Sequence, residues 1–214
     1  MADPEVVKFA PIYHEIIYPT IHEVLGTATK LGKAIVSSGV EINQIIPITR
    51  GGAAPFLSVS REVDVESYDI LGVKGWKLSS DGVTEVPSNR LRVYQRPERI
   101  NPKGEKTLFI DDLHDKGRTA RYVRRNWPRS LFAVLYSKLS AEETMKFVDF
   151  CGRLIGQVWV RFPYDEQRES NYTQMEVEDY IKWRQEESNV VPLISPRAAR
   201  IAKRQHKETL ELAA

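Results

Sequence analysis

Cysteine is nearly absent from this 214-residue chain, in which Cys151 is the one thiol. A disulfide framework within the chain is therefore excluded, and a single thiol fits a reducing compartment. No apolar run reaches the length of about 20 residues that a membrane-spanning helix needs. The N-terminus, MADPEVVKFAP, also lacks the basic-then-apolar pattern of a secretory signal. Together these absences predict a cytoplasmic protein with no membrane partner.

A strong charge of one sign and a cluster of metal-binding histidines are missing as well. The chain carries 31 Lys and Arg against 29 Asp and Glu, for a net charge of +2, so charge alone predicts no nucleic-acid partner. Its four histidines are too scattered for a metal-ligand spacing. The 42% hydrophobic content can fill a real core. The length fits one domain of moderate size with an added terminal segment.

The most informative stretch spans residues 107–120, TLFIDDLHDKGRTA. It opens with a short apolar run, which is typical of a buried parallel strand. Three acids follow, Asp111, Asp112 and Asp115, and then Gly117. A strand that ends in acids and turns on a glycine into a helix places a ligand at the carboxyl edge of an open sheet. The acids suit ribose hydroxyls or a hydrated Mg²⁺, and the turn suits a phosphate, so the stretch predicts a site for a phosphorylated ribose.

A second candidate loop, Arg50-Gly51-Gly52, lies between a predicted strand at 42–49 and a predicted helix at 53–62. A glycine pair lets the backbone approach a ligand closely, and arginine binds phosphate in a bidentate manner. The alternative is an ordinary glycine turn with a solvated arginine. Within the strand, Pro47 argues against a central position in the sheet because proline cannot donate to a ladder.

The rest of the chain alternates between helical and strand patterns, which predicts a parallel sheet with right-handed crossovers. Further helices are predicted at 20–35, 119–126, 177–187 and 195–212, with a short helix that opens at 140–143. Further strands are predicted at 69–73, 91–95, 131–137 and 147–152, the last as an edge strand. The polar segment at 74–90 shows no sustained period and predicts a loop that is functional or disordered, with 91–95 as the second arm of a hairpin. The basic residues within 197–207 suit an acidic partner or, as we favour, a solvated helix face.

Two features suit a purine base. Lys138 follows the predicted strand at 131–137, where its ammonium is a natural donor to an exocyclic oxygen, although a lysine there is often only solvated. Trp159 lies in VWVRFPYD at 158–165. Its indole either stacks on a base, which is worth about 1–3 kcal/mol, or simply joins the core.

These segments, over roughly residues 40 to 166, resemble the type I phosphoribosyltransferases, and among them the bacterial xanthine-guanine enzymes. The family signature for 5-phosphoribosyl-1-pyrophosphate (PRPP) reads apolar strand, two acids, two variable residues and Asp-Thr-Gly-x-Thr. Here Lys116 stands in place of the first threonine. The phrase ITRGGAAPFLSVSREVDV is similar to the family's pyrophosphate loop, in which the peptide corresponding to Arg50–Gly51 is often cis.

The purine pocket of that family reads Trp-Ile-Glu-Gln-Pro-Trp-Asp after a lysine-bearing strand. Tyr164 keeps an aromatic residue there, whereas Arg161 replaces the family's glutamate and reverses a charge. In the hood that closes over PRPP, Gly75-Trp76 stands where the family has a Ser-Tyr pair. The same order of segments is nevertheless preserved.

The resemblance implies the type I phosphoribosyltransferase fold, an α/β fold with an open, mainly parallel sheet flanked by helices. A transferase domain is expected at 1–170, with a flexible hood at about 74–95, and a helical C-terminal extension at 171–214. The implied activity is transfer of phosphoribose from PRPP to a 6-oxopurine in purine salvage. The alternatives are a non-catalytic PRPP-binding regulator and a phosphoribosyltransferase for another base.

The resemblance also implies a role for each candidate residue. Asp115 is the expected general base, and Asp111 and Asp112 are expected to hold Mg²⁺ directly or through its water. PRPP is expected to contact Arg50, Gly51, Gly52, Asp111, Asp112, Asp115, Lys116, Gly117, Arg118 and Thr119. The base is expected to contact Lys138, Trp159, Val160 and Asp165. Partners are then PRPP and a purine, without nucleic acid, in a homodimer or homotetramer.

Overall fold

A computed structural model describes residues 16–78, 85–165 and 190–212 of the chain. The helices are α1 (Ile21–Ser37), α2 (Ala53–Glu62), α3 (Arg118–Asn126), α4 (Ala141–Met145) and α5 (Pro196–Leu212). The strands are β1 (Ile16–Ile17), β2 (Gln44–Thr49), β3 (Ser67–Tyr68), β4 (Leu71–Leu78), β5 (Glu85–Gln95), β6 (Thr107–His114), β7 (Leu131–Ser137), β8 (Phe150–Leu154), β9 (Trp159–Val160) and β10 (Leu193–Ile194). The helix predicted at 177–187 lies outside the described residues.

The main sheet has the strand order β10-β8-β7-β6-β2-β4-β5, with β3 pairing with β2 beside this path. Strands β8, β7, β6, β2 and β4 run parallel to their neighbours. Antiparallel pairing occurs at the two edges, between β4 and β5 and between β10 and β8. The open, mainly parallel sheet predicted from the sequence is therefore confirmed.

The apolar side chains of the central strands pack on both faces of the sheet, because helices cover both. Leu108 and Ile110 of β6 join the cluster that includes Leu31 of α1. Phe109, which lies between them, points to the opposite cluster, where its ring stacks at 4.9 Å on that of Trp127. Burial on both faces explains why these strands read as continuous apolar runs rather than alternating ones.

Helix α1 begins with a capping box formed by Thr20 and Glu23. The Thr20 hydroxyl accepts the Glu23 amide at 3.3 Å, and the Glu23 carboxylate accepts the Thr20 amide at 2.6 Å. This reciprocal pair satisfies two amides that the first helical turn leaves without intrahelical partners. The helix therefore starts where the sequence predicted.

Strand β2 is central despite Pro47, which is contrary to the sequence prediction. Its pairing with β3 ends at Ile45, and its pairing with β4 begins at Ile48. Pro47 lies between these two ladders while it remains opposite Ile110 of β6. A proline is tolerated there because the strand is changing neighbours on one side.

Two other sequence predictions are wrong in detail. Within the polar segment at 74–90, β4 extends to Leu78 and β5 begins at Glu85, and the two strands pair as a hairpin with register shifts near Gly72 and Lys74. The polar pattern hid these strands because they form an edge hairpin that needs no continuous apolar face. The predicted edge strand at 147–152 is β8, and it is not an edge because β10 pairs with its outer side.

Candidate active site

The carboxyl ends of β2, β6 and β7 meet at one edge of the sheet, and the candidate residues gather there. Asp111 and Asp112 are consecutive residues of β6, and the Asp112 amide donates to Asp111 Oδ1 at 3.1 Å. Burial raises the pKa of Asp111 well above its usual range, and the neighbouring Asp112 raises it further. Burial also raises the pKa of Asp112 to about 6. Two crowded acids of this kind favour a ligand that brings hydrogen-bond donors or a cation.

The loop at Arg50-Gly51-Gly52 packs directly against this acid pair. A Cβ on Gly51 would lie 2.1 Å from Asp112 Oδ2, and a Cβ on Gly52 would lie 2.2 Å from the Ile110 carbonyl oxygen. A larger residue at Gly52 would therefore push the loop away from β6, and one at Gly51 would displace either the loop or the Asp112 carboxylate. The Gly52 amide donates to the Ile48 carbonyl at 2.8 Å, so this amide already has a partner within the loop.

The cis peptide bond of this loop joins Thr49 to Arg50. It lies one residue before the Arg50–Gly51 bond at which the resemblance implied it. The expected position was therefore wrong, although the cis bond is in the expected loop.

The turn that follows β6 leads into the N-terminus of α3. Gly117 has a φ of +67°, a conformation that favours glycine, and a Cβ on it would lie 2.8 Å from His114 Nε2. Arg121 closes the turn, since its amide donates to the Gly117 carbonyl at 3.0 Å and its guanidinium to the Lys116 carbonyl at 2.7 Å. The turn thus places the amides of Arg118 and Thr119 at a helix N-terminus, which is a favourable site for phosphate.

Lys138 brings three of the predicted segments together. Its side chain is buried, and its Nζ lies 3.8 Å from Asp115 Oδ1 and 5.0 Å from the centre of the Trp159 ring. Burial lowers the pKa of Lys138 to about 8, although the adjacent Asp115 opposes this shift. The ammonium therefore stands between Asp115 of the turn after β6 and the indole of Trp159.

The segment that carries Trp159 is held by β1, a contact that the sequence did not predict. Trp159 and Val160 pair with Ile16 and Ile17, and the Arg161 amide donates to the Ile17 carbonyl at 3.0 Å. Val160 is buried in the core, so its side chain serves packing. A contact from Val160 to a base would therefore come from its backbone.

Asp165 closes the end of this segment. Its Oδ2 accepts the Phe162 amide at 3.0 Å, and its own amide donates to the Phe162 carbonyl at 3.0 Å. Burial raises the pKa of Asp165, while Arg50 and Arg161 act in the opposite direction. The positive charges of Arg50, in the loop at 50–52, and of Arg161, in its own segment, therefore both act on Asp165.

Two side chains join the site without having been predicted. The Tyr164 hydroxyl donates to Asp112 Oδ2 at 3.1 Å, whereas the sequence marked Tyr164 only as an aromatic residue. His114 is buried beside Gly117 in the turn after β6, with its Nδ1 3.2 Å from Ser137 Oγ. Burial lowers the pKa of His114 to about 4, so the ring is neutral near pH 7. Its place in the signature, between the two acids and Asp115, would have been the one sequence signal.

The acid pair suits Mg²⁺ that arrives with a phosphorylated substrate. Within the described residues, no group of three or more His, Cys, Asp or Glu side chains could hold a metal ion. Mg²⁺ is commonly bound through one or two carboxylates together with water and substrate phosphates. Asp111 and Asp112 provide such a pair.

In the described part of the chain no helix is both long and apolar enough to cross a bilayer.

Curated relatives of this chain are named xanthine-guanine phosphoribosyltransferases. A xanthine-guanine phosphoribosyltransferase from Idiomarina loihiensis is 34% identical over 121 residues, which is 56% of this chain and 70% of the relative. One from a Ruegeria species is 33% identical over 122 residues, or 56% of this chain and 67% of the relative. No protein-family model matches the chain.

Solved structures show the same fold at low sequence identity. A purine phosphoribosyltransferase from Pyrococcus horikoshii aligns with a TM-score of 0.53 at 16% identity, covering 73% of this chain and 98% of that one. A hypothetical protein from Neisseria gonorrhoeae with bound ppGpp aligns with a TM-score of 0.56 at 16% identity, covering 81% of this chain and 97% of that one. The fold expected from the sequence is therefore confirmed.

Proposed function

The chain belongs to the xanthine-guanine phosphoribosyltransferase family, and on this premise we propose that it is a purine phosphoribosyltransferase. It transfers the 5-phosphoribosyl group of PRPP to guanine, xanthine or hypoxanthine and releases the nucleoside 5′-monophosphate and pyrophosphate. One observation carries the proposal: Lys138 Nζ lies 3.8 Å from Asp115 and 5.0 Å from the Trp159 ring. Lys138 thus brings Asp115 of the PRPP signature next to Trp159, the residue proposed to stack on the purine.

The leaving pyrophosphate is bound by the loop at Arg50 to Gly52. Cleavage of the C1′–O bond develops positive charge on the sugar and leaves a highly charged anion, so binding of this anion favours reaction. Arg50 supplies a guanidinium and Gly51 an amide. Gly52 contributes by allowing the loop to lie against β6, since its amide already donates to Ile48.

The ribose and its 5′-phosphate are bound by the end of β6 and the turn after it. Asp111 and Asp112 accept hydrogen bonds from the ribose hydroxyls. Mg²⁺ held by these two acids, directly or through water, would neutralise charge on the leaving group. The 5′-phosphate is bound by the backbone amides of Lys116, Gly117, Arg118 and Thr119 at the helix N-terminus, together with the Thr119 hydroxyl and the Lys116 ammonium. Lys116 replaces the lost threonine hydroxyl with a charge.

The purine lies between Trp159 and the end of β7. Lys138 donates to the 6-oxygen, Trp159 stacks on the ring, and Asp165 with the backbone of Val160 borders the slot. Asp115, beside Lys138, accepts the proton from the purine ring nitrogen as it attacks C1′. Arg161 stands where the family has glutamate, which reverses one charge of this segment.

The proposal is tested by pyrophosphate release from PRPP and Mg²⁺ with guanine, xanthine, hypoxanthine, adenine and a pyrimidine. We expect release with one or more 6-oxopurines and little with adenine, because an amino group leaves the buried Lys138 donor unpaired. Release with a pyrimidine only would indicate a transferase for another base. PRPP binding without release from any base would indicate a regulator, and either result would overturn the proposal. Omission of Mg²⁺ tests the metal requirement.

The role of Asp115 is tested by Asp115→Asn, which keeps the size of the side chain but removes the base. We expect turnover to fall by about 10²- to 10⁴-fold, the usual contribution of a positioned base, while the Kd for PRPP stays within a few-fold of wild type. Unchanged turnover would exclude Asp115 as the general base.

We also propose that the protein is a cytoplasmic homodimer or homotetramer. Large apolar side chains are exposed on α2, β3 and β5: Leu57, Tyr68 and Tyr94. A second copy of the chain would bury these side chains, and sedimentation velocity measures the oligomeric state.

For domain organisation we propose a transferase unit at 1–170 and a C-terminal extension at 171–214. In this extension β10 joins the main sheet beside β8, and α5 packs against the core.

A further inference from the structure

Tyr164 connects two parts of the site that are 52 residues apart in the sequence. Its hydroxyl donates to Asp112 Oδ2 at 3.1 Å. Burial and the nearby Asp112 raise the pKa of Tyr164, so the hydroxyl keeps its proton and is the donor. The base segment at 159–165 is therefore bonded to the acid pair of β6.

The ring of Tyr164 is supported from behind by an aromatic stack. It lies nearly parallel to Phe162, with ring centroids 5.0 Å apart and an interplanar angle of 9°. Phe162 in turn stacks on Tyr136 of β7 at 5.9 Å. Because Tyr136 and Phe162 are buried, the stack fixes where the Tyr164 hydroxyl can reach.

The backbone holds Tyr164 and Trp159 in one short unit. Two hydrogen bonds between Phe162 and Asp165 close the turn that contains Tyr164. Upstream, β9 and the Arg161 amide are held by β1. Trp159 and Tyr164 therefore belong to one short segment that is held by hydrogen bonds at both ends.

We propose that Tyr164 is a positioning residue that orients the Asp112 carboxylate for PRPP and couples the base slot to the PRPP site. The inference rests on the proposed function, which it extends. A carboxylate has about four acceptor positions, so a bond from Tyr164 leaves room for a ribose hydroxyl. Coupling of this kind is reciprocal: bound PRPP tightens base binding by the same factor as bound base tightens PRPP binding.

The first test is calorimetric titration of the wild-type protein and Tyr164→Phe with PRPP and Mg²⁺. The variant keeps the ring and its stack and loses only the hydroxyl. We expect its Kd for PRPP to rise by about 3- to 10-fold, the range for loss of an ordinary net hydrogen bond, with a melting temperature close to wild type. Tyr122→Phe, on α3 beside Trp127, is the matched control and should leave the Kd unchanged.

The second test is an initial-rate grid over PRPP and guanine concentrations. In Tyr164→Phe we expect a raised KM for PRPP and a kcat within about twofold of wild type. The interaction factor, by which one bound substrate changes the affinity for the other, should move toward one. An unchanged Kd and interaction factor, or tighter PRPP binding, would overturn the inference. If wild-type protein neither binds PRPP nor releases pyrophosphate, the proposed function fails instead, so the two failures are distinguishable.

Discussion

At the scale of a single residue, burial of Lys138 lowers the pKa of its ammonium and so affects the hydrogen bond that it is proposed to donate. Its position after β7 was predicted from the sequence, as was a donor role. Its burial and its contacts with Asp115 and Trp159 were not, because they depend on which turns meet at the sheet edge. The same limit applies to Tyr164: its residue type is visible in the sequence, whereas the bond of its hydroxyl to Asp112 depends on the fold.

The lowered pKa of Lys138 predicts an alkaline limit to activity. Because burial lowers this pKa to about 8, the ammonium is lost as the pH rises through 8, and its bond to a 6-oxygen weakens. We expect kcat/KM for guanine to fall above about pH 8, by up to about tenfold per pH unit. A pH profile of initial rates measures this limb.

Lys138→Arg supplies the control for that profile, since arginine stays protonated throughout the accessible range. Its activity will be lower overall because the guanidinium is larger, but a limb that belongs to Lys138 should disappear from its profile. A limb at the same pH in both proteins would have to be assigned to another group.

At the scale of one loop, the position of the glycine pair between a strand and a helix was predicted from the sequence, but its packing against β6 was not. The sequence indicated a backbone that comes close to a ligand. The structure adds that Gly51 and Gly52 lie against β6, where a Cβ would meet Asp112 or the Ile110 carbonyl. The hairpin of β4 and β5 was harder to predict, because polar arms at a sheet edge lack the apolar period by which strands are recognised.

Gly51→Ala should therefore damage the acid pair as well as the loop. The new methyl group would lie 2.1 Å from Asp112 Oδ2, so the loop or the carboxylate must move. We expect the KM for PRPP to rise more than about tenfold, as loss of oriented contacts typically produces, together with a lower melting temperature. Steady-state rates and thermal unfolding measure the two effects.

Gly26→Ala is the matched substitution for this comparison. Gly26 lies within α1, and a Cβ there would meet nothing within 4 Å. Alanine in a helix interior is favoured over glycine by about 1 kcal/mol, so this variant should be as stable as wild type or more so, with unchanged KM. Equal behaviour of the two variants would contradict the argument from close packing.

At the scale of the whole molecule, one buried acid ties the C-terminal helix to the sheet. Asp149, which is 1% exposed, accepts hydrogen bonds from Arg124 of α3, Arg197 of α5 and the Phe132 amide of β7. Ser195 donates to it as well. A helix that starts at Ser195 was predicted from the sequence, but no sequence pattern shows that Asp149 holds its start, since partners from three segments meet only in the folded chain.

Asp149→Asn should destabilise the whole protein. The substitution keeps the shape of the side chain but leaves Arg124 and Arg197 without their shared counter-charge. Breaking a buried ion pair on one side costs about 3–5 kcal/mol, so urea unfolding should show a loss of this order in the free energy of unfolding. Glu208→Gln breaks an exposed pair on α5, with Arg204 at 3.6 Å, and should cost less than about 1 kcal/mol. A similarly small cost for Asp149→Asn would mean that packing of α5, rather than this acid, fastens the helix to the sheet.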